Sequence, residues 1–176
     1  TMASVLSSLT AVIAGIEAGK IEPDFELLDM MVFYIEAMPE TLHHPKEDDY
    51  IYDPLTRGMP EQDPAIEQIH EEHERGHHLG LQLVSSLLAY RVLGAPAFPT
   101  FAATVRSYAD LQWGHMGKEE RHLLPLARDR LGASDWQRID EAFLANQQDP
   151  AKAEQRKVFR ELFRRLAAHA PDSFGR

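Results

Sequence analysis

Apolar residues recur every three or four positions through nearly the whole chain, which is the spacing of one face of an α-helix. The first of these stripes begins at Met2 and ends before Gly19, a residue suited to ending a helix. The second runs from residue 25 to about residue 52 and contains Pro39 and Pro45, so we expect a bent helix there. The strict alternation of a β-strand is not found in the sequence.

Four more helices are predicted downstream. Asp63 and Pro64 form a strong helix start, with a capping side chain followed by proline at the first helical position. Gly132 marks the end of a long helix that begins at about residue 100. Ser134 and Asp149 are suited to cap two shorter helices that follow it. The predicted spans are about 64–93, 100–130, 134–147 and 150–169.

Four long helices joined by short connections predict an all-α fold, an antiparallel up-down four-helix bundle with two additional C-terminal helices. We expect residues 1–132 to form the bundle. Residues 133–176 carry an apolar stripe, and we expect them to form a helical extension that packs on the bundle or at a homodimer interface.

Three of the long helices interrupt their apolar stripe with a pair of polar side chains at positions i and i+4. Residues with this spacing lie about 40° apart around a helix, so each pair can reach one point. On the second, third and fourth helices respectively, the pairs are His43 and Glu47, His73 and His77, and His115 and Glu119.

The three pairs also lie at similar depth. At about 1.5 Å per residue, His73 lies about 16 Å from the start of its helix, and the pairs on the second and fourth helices lie about 11 Å and 20 Å from the ends of theirs. These helix ends share one face of an antiparallel bundle, so four imidazoles and two carboxylates should converge. Six buried polar groups without a ligand, at about 1–3 kcal/mol each, would consume most of a domain's stability of about 5–15 kcal/mol. We therefore predict that they bind metal.

The donor types narrow the choice of metal. The chain has no cysteine, and nitrogen and oxygen ligands suit iron, manganese or zinc. Six ligands with two carboxylates able to bridge suit two ions better than one tetrahedral zinc, so we predict two irons. The Glu-x-x-His spacing of ferritin-like sites also occurs, but the first helix offers only Glu17, near the wrong end, as the extra carboxylate that such sites need.

Other polar residues and glycines surround the predicted ligands. We expect the polar ones to lie beside the metal, with His122 as a donor to a ligand or a replacement ligand. The glycines are expected to allow close helix approach, with space for a diatomic ligand as the alternative. The polar neighbours are His44, His70, His78, Glu120 and His122, and the glycines are Gly76, Gly80, Gly114 and Gly117.

Composition and charge exclude several other partners. The chain is 44% apolar and 26% charged, which is ordinary for a globular protein, and its formal net charge of -10 argues against nucleic acid and anionic membranes. The sequence contains no apolar run approaching the roughly 20 residues of a membrane span. A chain without cysteine suits the reducing cytoplasm, where we expect the protein.

The motifs "HHPKED", "HERGHH" and "HMGKEE" resemble those of the hemerythrin-like, or HHE cation-binding, domain. The resemblance covers about residues 1–130 and implies a four-helix bundle that holds a non-haem di-iron centre. It implies the same six ligands, His43, Glu47, His73, His77, His115 and Glu119, with Glu47 and Glu119 as bridging carboxylates.

The resemblance also implies a fifth histidine on the first helix, and residues 1–20 contain none. Stepping back from Met2 by three or four residues along the inner stripe leads to a point two or three positions before Thr1. We therefore expect the natural protein to continue upstream by about a dozen residues and to carry the histidine there.

Histidine-rich ligation with an open iron position suits reversible binding of oxygen, or sensing of oxygen, nitric oxide or iron, because neutral imidazoles favour the reduced pair of irons. We therefore expect a metal-binding protein, rather than an enzyme, whose partner is a small diatomic ligand or a metal ion. The resemblance also admits a di-iron enzyme-like protein acting in iron–sulfur centre repair or in peroxide or nitric oxide chemistry. A structural or interaction protein with an inactive site is a third alternative.

Overall fold

The chain folds into helices joined by short connections. The structure is a computed structural model that describes residues 2–39, 43–57, 64–148, 157–162 and 164–165. Within those residues there is no β-strand, so the all-α class expected from the sequence is confirmed. The α-helices are α1 (Met2–Glu17), α2 (Phe25–Met38), α3 (His44–Glu47), α4 (Asp53–Thr56), α5 (Pro64–Leu93), α6 (Phe98–Lys118), α7 (Leu124–Arg130) and α8 (Ala133–Gln148).

The ends of the long helices follow local sequence signals. After α1 the backbone of Gly19 takes a φ of 65°, a left-handed conformation that glycine adopts without strain. The carboxylate of Asp24 caps α2 by accepting a hydrogen bond of 3.1 Å from the backbone N–H of Leu27. Gly94, with a φ of 70°, ends α5, and a short 3-10 helix at Ala95–Ala97 leads into α6.

The predicted second and fourth helices each contain a π-helical turn, at Asp48–Tyr52 and Glu119–Leu123. In both, the backbone N–H after the turn bonds to the carbonyl five residues earlier, that of Asp48 or Glu119. Pro54 and Pro125 follow directly. A proline ring clashes with the carbonyl four residues before it, and a wider turn relieves that clash.

The four long helices contact one another in a ring. Helix α1 contacts α2 and α6, α2 contacts α5, and α5 contacts α6. Helices α2 and α5 run antiparallel, because the early residue Asp29 pairs with the late residue Arg91 at 2.7 Å, while Glu36 lies against Gly80.

Helices α5 and α6 also run antiparallel. Near the end of α5, the ring of Tyr90 packs on that of Phe101, with centroids 5.8 Å apart. Near its start, the ring of His73 packs on that of His115, with centroids 4.9 Å apart. This pairing carries the two histidines to one level of the molecule.

Two apolar clusters lie above and below that level. Along α5, the second cluster includes Ile69 and the main core includes Leu83, so His73 falls between them. Helix α8 packs on the second cluster through Ile139, and Phe159 packs on the main core. The second cluster consists of Tyr52, Leu55, Ile66, Ile69, Leu123, Ala127, Leu131 and Ile139.

Most of the predicted last helix, 150–169, lies outside the described residues, although residues 157–162 and 164–165 are helical. Among the helices that the structure describes, none combines the length and the apolar content that crossing a membrane requires.

Candidate metal centre

Three overlapping groups of side chains are arranged so that one nitrogen or oxygen atom from each member lies within 4.8 Å of the others. We call the largest the inner cluster; it consists of Glu47, His73, His115 and Glu119. The other two groups are His44, His73 and His115, and Asp48, His70 and His73.

The inner cluster is assembled from α3, α5, α6 and the second π-helical turn. His115 Nε2 lies 3.2 Å from Glu119 Oε1, and His73 Nε2 lies 3.8 Å from Glu47 Oε2. The four side chains are only 5–14% exposed. Imidazole and carboxylate donors therefore converge on one point with little access to water.

Several polar atoms of this cluster are buried with no hydrogen-bond partner among the described residues. They are Glu47 Oε2, both ring nitrogens of His73 and Nε2 of His115. A buried polar atom without a partner costs about 1–3 kcal/mol. A cation bound at their centre would satisfy Glu47 Oε2, His115 Nε2 and one ring nitrogen of His73, and the mixed nitrogen and oxygen donors fit iron, manganese or zinc.

The two carboxylates of the cluster have pKa values displaced in opposite directions. Burial and the adjacent Glu119 raise the pKa of Glu47 to about 9. Burial also opposes ionisation of Glu119, but hydrogen bonding and charge attraction from His115 outweigh it and lower the pKa of Glu119 to about 2. The pair therefore holds a single proton near neutral pH, which a bound cation would displace.

The adjacent histidines His43 and His44 lie differently. His44 is buried, and its ring stacks on that of His73 with centroids 3.9 Å apart. Burial lowers the pKa of His44 to about 3, so its imidazole is neutral at pH 7. The side chain of His43 is 44% exposed, and its Nε2 lies 3.2 Å from Glu47 Oε1.

Four of the six ligands predicted from the sequence, Glu47, His73, His115 and Glu119, are brought together as the inner cluster. His43 touches the cluster through Glu47. His77 is exposed on α5 and belongs to none of the three donor groups. With His44, Pro45, Asp48, His73, Glu74 and His78, it lines a cleft of about 480 Å³ that leads to the cluster.

Two carboxylates that the sequence analysis did not select lie beside the inner cluster. Asp48 Oδ1 is 3.3 Å from His70 Nδ1 and 3.6 Å from His73 Nδ1. Glu72 is 7% exposed and contacts His115. It follows the buried Ile69 by three residues, so the helical stripe contained a signal for it.

A phenol completes the surroundings of the cluster. The hydroxyl of Tyr52, a residue 2% exposed, donates a hydrogen bond of 3.3 Å to Glu119 Oε1. The ring of Tyr52 also packs near His73, with centroids 6.1 Å apart. Burial and the neighbouring carboxylates Glu47 and Glu119 raise the pKa of Tyr52, so the phenol keeps its proton.

Comparison with protein families connects this cluster to known chemistry. A family model described as the hemerythrin HHE cation binding domain matches residues 5–127, more than two thirds of the chain. Comparisons with curated proteins and with solved structures found no match. The matched residues include all four members of the inner cluster. The chain therefore belongs to the hemerythrin HHE cation-binding domain family.

Proposed function

We propose that the protein holds two iron ions at the inner cluster and uses them to bind or sense a small ligand: oxygen, nitric oxide or iron itself. The observation that carries the proposal is the burial of unpaired imidazole and carboxylate atoms within a cation-binding domain. Two carboxylates able to bridge, Glu47 and Glu119, favour a pair of ions over a single one. Iron bound there would supply a redox-active centre with an open position for a diatomic molecule.

The proposed ligand set starts from Glu47, His73, His115 and Glu119. His43 and His77, which the sequence pattern also selects, remain proposed ligands that would complete the shells of the two ions. His44 is an additional candidate, because it is buried and neutral and shares a donor group with His73 and His115.

The antiparallel pairs α2/α5 and α5/α6 support an up-down four-helix bundle of α1, α2, α5 and α6 as the scaffold. In this arrangement α3 would present its donors at the level of His73 and His115. We propose that residues 133–176 form a separate extension, which packs on the bundle or mediates a homodimer, and that they supply no ligand to the metals.

Reversible binding is favoured over turnover by the composition of the cluster. The buried His44, which stacks on His73 of the cluster, stays neutral, and neutral imidazoles favour the reduced ions that bind oxygen. A second candidate function, an enzyme-like role in peroxide or nitric oxide chemistry or in iron–sulfur centre repair, is favoured by the cleft of about 480 Å³ beside the cluster. That cleft offers a route for a small substrate.

Optical spectroscopy under controlled gas tests the proposal. The chain is loaded anaerobically with Fe(II) and then cycled between oxygen and argon. Binding predicts an absorption band that appears with oxygen and disappears on its removal over several cycles. The matched control is Gln82→Ala, an exposed polar residue on α5 outside the three donor groups and the cleft, which should behave as wild type.

The same sample separates the alternatives. Catalytic loss of added peroxide or nitric oxide, with no reversible band, would support the enzyme-like function and count against binding. Irreversible oxidation without turnover would contradict both.

A further inference from the structure

The two histidines of the inner cluster have their ring nitrogens arranged in the same way. In each, Nε2 faces a carboxylate of the cluster and Nδ1 faces a carboxylate outside it. For His115, Nε2 lies 3.2 Å from Glu119 Oε1, and Nδ1 lies 3.3 Å from Glu72 Oε2. For His73, the corresponding carboxylate on the Nδ1 side is Asp48, at 3.6 Å.

Glu72 is built into the structure more firmly than Asp48. Its side chain is 7% exposed, whereas that of Asp48 is 41% exposed. Both oxygens of Glu72 are engaged, because Oε1 accepts a hydrogen bond from Lys118 Nζ while Oε2 contacts His115 Nδ1. Lys118 is 32% exposed and offsets the charge of a carboxylate that would otherwise be buried alone.

Glu72 is also separate from the donor groups. It belongs to none of the three sets of converging ligand atoms among the described residues, although it adjoins His73 in the chain. Helix α5 directs it toward α6, where it reaches Lys118 and the outer side of the His115 ring. Its contacts are therefore with Lys118 and His115 and not with the converging donor atoms.

A neutral imidazole carries one proton on either of its two nitrogens, and only the other nitrogen can donate an electron pair to a cation. A carboxylate beside Nδ1 favours the proton there and leaves the Nε2 lone pair available. It also fixes the rotation of the ring. Removal of such a partner typically lowers metal affinity by about 10–100-fold.

Building on the proposed metal-binding function, we propose that Glu72, supported by Lys118, is a positioning residue that holds the Nδ1 proton of His115 and directs its Nε2 into the inner cluster. The contact joins α5 to α6 at the level of the cluster. Metal affinity is thereby coupled to the packing of these two helices.

The test compares Zn(II) affinities, measured by competition with a chromophoric chelator, in three variants of the full chain. Glu72→Leu removes the acceptor and should lower the affinity by about 10–100-fold. Glu72→Gln keeps an oxygen that can accept from Nδ1 and should recover most of that loss. Glu67→Leu makes the same change at an exposed position of α5 outside the cleft and should leave the affinity unchanged.

Proton NMR of the Zn(II)-loaded wild type distinguishes a positioning role of Glu72 from a purely structural ion pair with Lys118, because only the positioning role affects the Nδ1–H of His115. A hydrogen-bonded Nδ1–H resonance of His115, assigned by its loss in His115→Ala, should be protected from exchange. It should be lost in Glu72→Leu and kept in Glu72→Gln. Absence of this resonance from the wild type would overturn the proposal even if Glu72→Leu failed to fold.

The outcomes also distinguish this positioning role from the proposed metal-binding function on which it rests. If the wild type binds Zn(II) and folded Glu72→Leu binds it equally well, the positioning role is wrong and metal binding stands. If the wild type binds neither Zn(II) nor Fe(II), the proposed function fails and the positioning role fails with it.

Discussion

At the scale of single residues, Glu47 and Glu119 are buried in the same cluster and differ in protonation. The contact of Glu119 with His115 stabilises its ionised form, whereas burial and the adjacent Glu119 raise the pKa of Glu47, which takes up a proton. Two carboxylates held close together in this way are costly in the metal-free protein. The same closeness makes them effective ligands, since a cation would favour ionisation of both.

The raised pKa of Glu47 predicts how the stability of the metal-free protein depends on pH. Its folded-state pKa of about 9 exceeds the ordinary value of 4.5, so its contribution to stability is complete below 4.5 and is lost as pH rises toward 9. Burial lowers the pKa of His115, but its contacts with Glu119 and Glu72 raise it on balance, so His115 acts in the same direction. We expect the free energy of unfolding to fall between pH 7 and pH 9, by about 1 kcal/mol per pH unit.

Urea unfolding of the metal-free protein at pH 7, 8 and 9 measures this slope. Glu47→Gln, which keeps the shape of the side chain and cannot ionise, should reduce it. The account of the carboxylate pair is contradicted if the wild type becomes more stable over this range or if Glu47→Gln leaves the slope unchanged.

Residue-scale features differ in how far the sequence predicts them. Glu47, His73 and His115 were identifiable because a fixed helical period determines which side chains face inward. Which of His43 and His44 faces inward was not identifiable from the sequence. Adjacent residues point about 100° apart around a helix, and their directions depend on where α3 begins after α2. Glu72 stands three residues after the buried Ile69, so the helical period marks it as facing inward, but the partner that stabilises its buried charge, Lys118, is distant in the sequence.

At the scale of elements, close packing between helices holds the inner cluster together. A Cβ atom on Gly80 of α5 would lie 3.0 Å from Glu36 Cγ on α2 and 4.0 Å from the ring of Tyr108 on α6. This position therefore favours glycine because three helices meet there. A Cβ atom on Gly114 of α6 would meet no atom of another helix within 4 Å, so no equivalent constraint applies.

These two glycines give opposite predictions. Gly80→Leu should lower the free energy of unfolding by about 2–3 kcal/mol, because a large side chain has to separate α2 and α6 from α5. Gly114→Ala should raise it by up to about 1 kcal/mol through helix propensity alone. Thermal or urea unfolding measures both, and a stable Gly80→Leu protein would show that the helices do not pack this closely.

Elements with strong end signals were predicted well. Pro64 opens α5 and Gly94 follows its last residue, in agreement with the predicted span of about 64–93. The bend expected in the second helix proved to be a change from α2 to the short helices α3 and α4. The π-helical turns carry no simple sequence pattern, because they depend on how the chain accommodates Pro54 and Pro125 within a packed structure.

At the scale of the whole molecule, Phe159 of the C-terminal segment packs against α2 in the main core. The ring of Phe159 lies 6.1 Å from that of Phe33 and 5.9 Å from that of Tyr34, both on α2. Phe159 is 7% exposed, whereas the adjacent Val158 is 47% exposed. This contact extends the main core, and Phe159 belongs to none of the three donor groups.

Stability and metal content should therefore respond separately to changes in this segment. Phe159→Ala should lower the free energy of unfolding by about 3 kcal/mol, since it removes a buried aromatic side chain. Val158→Ala is the matched control, with an expected change below about 0.5 kcal/mol. Both variants should bind as much iron as the wild type, and iron loss from folded Phe159→Ala would contradict this division of roles.

The central claim, that the inner cluster holds two metal ions, is tested most directly by the iron content of the reconstituted protein. The chain is loaded anaerobically with Fe(II), desalted, and measured for iron and protein. We predict about two irons per chain in the wild type, because two carboxylates able to bridge favour a pair of ions, and none in the double variant His73→Ala/His115→Ala. A wild type that retains no iron, or a folded double variant that retains the full amount, would contradict the account.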